Sequence, residues 1–194
     1  MKSFITILFI FTLNLNTHSV DTIKFEELLE EHLSEVKKAV STNFKESNIE
    51  KIKAQLYFSQ NFNMNFYGML SHVLSLETDE SDIVKSITIH FDKVINRQFY
   101  DSFIEKYGEP DHIHVISNRK IISEGSIKDD IGNVIQHARK SEGDLIEGTF
   151  DEKPLFMIWK KENFYIQAFL RHKQNISEIM FNTESPPFNV KPSK

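Results

Sequence analysis

The sequence predicts an α+β fold, an antiparallel sheet packed against two main helices. Three observations carry that expectation. Apolar residues recur at three- and four-residue steps in two segments, near residues 21–40 and 95–107. Alternating apolar runs of strand length fill most of the remaining chain, and the runs are separated by short turn-forming stretches of the kind that join antiparallel neighbours. With 194 residues and no cysteine, the fold must rest on its core alone. A chain of this length can bury about 70% of its unfolded surface, so no disulfide or structural metal is required.

The first nineteen residues predict a signal peptide. Lys2 supplies one positive charge, Phe4 to Leu13 form a ten-residue apolar run, and Thr17 and Ser19 are the small residues before a cleavage ahead of Val20. Ten residues are too few for a bilayer span, which needs about 20, and no second long apolar run follows, so no transmembrane segment is expected in the mature chain. Losing one lysine moves the net charge from −5 to −6. The expected setting is periplasmic or secreted.

Residues 20–184 are expected to form one domain, followed by a flexible tail over 185–194 that holds Pro186, Pro187 and Pro192. The first predicted helix starts at Asp21 and Thr22 and carries Ile23, Leu28, Leu29, Leu33, Val36 and Val40 along one stripe, with glutamates early and Lys37 and Lys38 late. In Asn61 to Phe66, asparagine and apolar residues alternate strictly, which predicts a half-buried strand. Weaker strands are expected at 52–58 and 72–76, and a stronger one at 83–91. The second helix spans about Ile95 to Tyr107 and stops at Gly108 and Pro110. Strands at 112–116 and 119–122 precede a polar excursion, 123–153, in which Ile127, Ile131, Val134, Ile135 and Ala138 suggest a short helix weakened by Gly132. Three strands, 155–160, 164–171 and 176–181, close the domain. The I-x-x-I-x-F spacing of Val84, Ile87, Ile89 and Phe91 recurs in Ile176, Ile179 and Phe181, as a duplicated helix-plus-strands unit would produce.

The order Phe99-Tyr100, Phe103-Ile104, Tyr107-Gly108-x-Pro110, then the single Trp159 in a strand, then Phe164 to Leu170 and Ile176 to Phe181, resembles small exported α+β proteins of unknown function. The resemblance covers residues 95–182. It implies a helix-on-sheet fold and an exported setting, and it transfers no catalytic residue.

Composition narrows the chemistry. Without cysteine there is no thiolate nucleophile, Cys-ligated zinc or iron–sulfur cluster, and a pI near 5.9 argues against nucleic acid as partner. No phosphate-binding glycine loop, nucleophile elbow, H-E-x-x-H or EF-hand loop occurs, so the sequence names no cofactor and no catalytic residue. The expected function is that of a non-catalytic binding or interaction module whose partner is a protein or an apolar ligand. With seventeen phenylalanines and five tyrosines, one sheet face can be filled and aromatic residues remain. Phe156 and Ile158 are assigned to the helix side with Phe164, Ile166 and Ala168, which leaves Tyr57, Trp159 and Tyr165, flanked by Arg171, for a partner on the other face. The alternative function is metal binding or metal-dependent catalysis. His112 and His114 form an H-x-H pair on one side of a strand, about 7 Å apart, and His90 or Asp92 is the expected third ligand.

Overall fold

The computed structural model describes residues 23–47 and 54–186. The expected leader and nearly all of the expected tail lie outside the described residues. A 3-10 turn at Phe25–Leu28 leads into α1 (Leu33–Val40). Five strands follow, β1 (Asn43–Glu46), β2 (Gln55–Gln60), β3 (Met64–Phe66), β4 (Met69–Thr78) and β5 (Val84–Phe91). After α2 (Arg97–Tyr107) come β6 (His112–Lys128), β7 (Val134–Glu147), β8 (Phe156–Lys160), β9 (Tyr165–Arg171) and β10 (Ile176–Asn182). They form one antiparallel sheet in the order β1-β2-β4-β5-β10-β9-β8-β6-β7, with β3 paired beside β4. No described helix is long and apolar enough to cross a membrane.

The α+β expectation with two main helices is therefore overturned. Among the described residues, strand accounts for 53% and helix for only 17%, a β-rich fold. Two elements explain the shift. The predicted first helix breaks at Leu29–His32, where the backbone is taken up by the sheet: Glu30 N–H donates to Val84 O, Leu33 N–H to Asp82 O, and Val84 N–H to Glu31 O. Glu30 takes a positive φ of 65° to make that turn, and His32 forms a β-bridge with Ile83. Tertiary pairing has overridden helical periodicity. The polar excursion is the second element. It is a hairpin of the long strands β6 and β7, and its tip is set by Asp129, whose Oδ1 accepts from the N–H groups of Ile131 and Asn133. Gly132, at φ 91°, is the turn residue rather than a defect in a helix.

The matching segments of β5 and β10 turn out to be neighbours. They pair directly, Ile87 opposite Phe181 and Ile89 opposite Ile179, at the middle of the sheet. Burial of the same face on two adjacent antiparallel strands accounts for their shared spacing, and the duplicated unit is not needed to explain it.

Both helices lie on one face. α2 presents Phe99, Phe103 and Tyr107 to Phe66, Phe91, Trp159 and Phe181, and α1 adds Leu33, Val36 and Val40. Asn96 caps α2 by accepting from Phe99 N–H, and Gly108, at φ 74°, ends it while its N–H bonds Ile104 O. Trp159 is fully buried beneath this end, packs edge-on against Phe103, and donates its indole N–H to Gly108 O at 2.8 Å. The Tyr-Gly-x-Pro turn and the single tryptophan are thus parts of one packing joint.

Candidate functional site

Register builds the site. On β6, His112 and His114 lie opposite Ile158 and Phe156 of β8, so both imidazoles project from the helix-free face. On the other side of β6, His114 pairs with Glu147 of β7. Asp111 anchors the start of β6 by accepting from Lys160 N–H, and its own N–H bonds Ile158 O. The two rings stack nearly parallel, 5.7 Å between centroids. His112 Nδ1 is 2.9 Å from Glu147 Oε1, and His114 Nδ1 is 3.9 Å from the same oxygen. One donor atom from each of the three side chains falls within a 4.8 Å cluster.

His114 differs from its neighbour. It is only 3% exposed, and its Nδ1 has no hydrogen-bond partner. A buried imidazole nitrogen without a partner costs about 1–3 kcal/mol, and it is held because the pairing with Phe156 and Glu147 fixes the strand. Burial lowers the imidazole's pKa below its ordinary value; Glu147 opposes the shift and His112 adds to it. The neutral ring so favoured is the form that ligates metals. Two imidazoles and a carboxylate are a zinc- or copper-class donor set. Ligand atoms around such an ion stand about 3.3 Å apart, so closure requires a modest swing of the exposed Glu147 side chain away from its contacts with His112 Nδ1 and Ile113 N–H.

His90 does not belong to this cluster. Three strands separate β5 from β6, roughly 19 Å at about 4.8 Å per strand, so neither it nor Asp92 completes the site. The third side chain of the cluster is Glu147, which lies inside the segment expected to be a polar excursion; only recognition of the hairpin and its register would have found it.

The aromatic partner surface is corrected as well. Trp159 and Met157 face the helices, opposite Ile166 and Ala168, and Phe156 and Ile158 face the other way. Tyr57 is buried too, on the α1 side, with the Lys37 ammonium over its ring. Of the residues expected to form the patch, Tyr165 and Arg171 alone share the helix-free face, both half-buried. Arg171 lies over the Phe169 ring and reaches Glu178, and it lines a cleft of about 480 Å³ with Arg119, Lys153 and Phe169.

His90 sits instead in a polar chain across the middle of the same face. Its Nε2 is 2.9 Å from Ser75 Oγ, and its Nδ1 is 3.3 Å from Glu178 Oε2. The order of groups is that of a nucleophile, a base and an orienting carboxylate. Ser75, however, pairs with Phe58 on one side and Thr88 on the other, so the surrounding backbone N–H groups are committed to the ladders. Acyl transfer needs such donors free beside the nucleophile. The chain acts as a brace between β4, β5 and β10.

No protein-family model matches this chain, and no significant similarity to a curated protein or a solved structure is found.

Proposed function

We propose that the protein is an exported binding module whose ligand is a zinc- or copper-class metal ion, held by His112, His114 and Glu147. The observation that carries the reading is the buried, unpartnered Nδ1 of His114 beside a second imidazole and a carboxylate. A site that leaves such an atom without a partner is more stable with a ligand on it, because the desolvation already incurred is then offset. Three protein donors leave a fourth position for water or for a group from a partner. Export is supported by the charged, apolar, then polar order of residues 1–19.

The test is a titration of the purified chain with zinc and with copper against a chromophoric competitor. One equivalent retained through dialysis is expected, with binding lost in His114→Ala and weakened in Glu147→Gln. Substoichiometric retention, or unchanged binding by His114→Ala, refutes the assignment. For export, the intact mass of the chain from its native source should lack residues 1–19; the full-length mass would refute that part.

A further inference from the structure

Beyond residue 117 the β6–β7 hairpin leaves the body of the protein. Nearly all of its described side chains are exposed, on both faces, and the exposed apolar ones include Ile121, Ile122, Ile127, Ile131, Val134 and Ile135, with Ile131 at 84% and Ile135 at 65%. A two-stranded ribbon is at best marginally stable alone in water, and six such side chains on one arm call for cover. β7 is also the last strand of the sheet, so the outer edge of its fourteen residues has no neighbour among the described strands.

The charge order along that edge identifies what can pair with it. The first half of β7 carries His137, Arg139 and Lys140, and the second half carries Glu142, Asp144 and Glu147. An antiparallel copy of the same strand sets basic half against acidic half. We propose that β7 pairs with β7 of a second copy, making a two-fold dimer with a continuous β6-β7-β7-β6 ribbon.

Symmetry restricts the register. Successive pairs in an antiparallel ladder alternate between hydrogen-bonded and non-hydrogen-bonded types, so a two-fold axis normal to the sheet must pass where a residue faces its own copy. The charge boundary offers Lys140 or Ser141 for that place. Lys140 would face its own charge, which is unfavourable; Ser141 would not. With Ser141 on the axis, residue numbers across the interface add to 282. Lys140 then faces Glu142 of the second copy, and the relation occurs twice. That register therefore satisfies the charges at the centre of the interface.

Sedimentation equilibrium on the purified chain tests this through charge reversal. The wild type is expected to be dimeric at a loading concentration of about 100 μM. Lys140→Glu and Glu142→Lys should each weaken the dimer by about tenfold or more, since each replaces two attractive pairs with two repulsive ones. The double variant K140E/E142K re-creates both pairs with the signs exchanged and should dimerise more tightly than either single variant, although the lysine placed at 142 then stands opposite Lys120 of its own β6. Far-UV circular dichroism should be unchanged in all three, because the sites are exposed. A monomer at 100 μM overturns the proposal, including the case in which the arm is covered by a different protein. So does a dimer indifferent to either reversal, or a double variant as weak as the singles.

Discussion

Replacing Trp159 by alanine should remove about 4 kcal/mol of stability. The indole is at 0% exposure. Burying a tryptophan takes about 150–250 Å² out of water, which at about 25 cal/mol per Å² gives roughly 4–6 kcal/mol as an upper bound. Truncations of large aromatic residues cost about 3–5 kcal/mol once partial collapse of the cavity is included. The variant also strips Gly108 O of the indole donor it accepts at 2.8 Å, at the point where α2 ends. Trp159→Phe keeps a ring against Phe103 but loses that donor, and about 2 kcal/mol is expected. Urea unfolding followed by far-UV circular dichroism reads both values. In the wild type the single indole should emit at short wavelength and resist iodide. A loss below about 1 kcal/mol for Trp159→Ala, or a red-shifted emission quenched like free indole, would refute the packing joint and reopen the surface reading.

Three further outcomes follow from particular contacts. A Cβ on Gly148 would stand 2.7 and 2.8 Å from the two methyls of Val115, so Gly148→Ala should cost about 1–3 kcal/mol by denaturation, and Val115→Ala in the same chain should recover part of it. His114→Leu should leave the metal-free protein as stable or about 1 kcal/mol more so, because it removes a buried unpartnered nitrogen, while abolishing metal retention; a loss above 2 kcal/mol would contradict the geometry. Tyr67 is pushed up to about 12 by burial and then by Glu26, and Tyr107 and Tyr100 are raised in the same direction by burial first. The folded state thus holds these protons more tightly than the unfolded chain, whose phenols titrate near 10. That contribution is complete below pH 10 and is lost as pH rises through 12, so melting temperatures should fall over that window, and less steeply in Tyr67→Phe.

The sequence made most strands and the second helix legible, since their signals are local: alternation in β5, β9 and β10, and the apolar stripe and Gly108 stop of α2. What it missed was decided by register. Strands expected at 155–160 and 164–171 leave Lys161-Glu162-Asn163 as a three-residue turn, whereas Lys161 N–H bonds Phe164 O and the loop is two residues long. That single residue reverses the faces of β8 and carries Trp159 from the expected patch into the core. The first helix failed for a related reason: its periodicity is genuine, but residues 29–32 gain more from bonding to the start of β5 than from continuing the helix. The H-x-H pair was visible because two side chains on one face of a strand need only period two; Glu147 was not, because its place depends on a hairpin that brings it back to His114 from 33 residues along the chain.

The metal cluster and the proposed dimer edge use the same two strands, yet they need not compete. Glu147 donates from the face of β7, through its side chain, whereas pairing with a second copy uses the backbone of the strand's outer edge. The two-fold axis at Ser141 is six residues from Glu147, about 20 Å at about 3.4 Å per residue, so the two metal sites of a dimer would sit near opposite ends of the shared ribbon. An ion held by His112, His114 and Glu147 would tie β6 to β7 where the arm leaves the sheet, beside the close approach of Gly148 to Val115. That tie limits the splay of the arm at its root and leaves its charge order untouched. Metal should therefore tighten dimerisation by making the arm stiffer, with no change in the charge-reversal pattern, whereas a dimer constant that shifts its dependence on Lys140 and Glu142 when metal is added would place the ion in the interface itself.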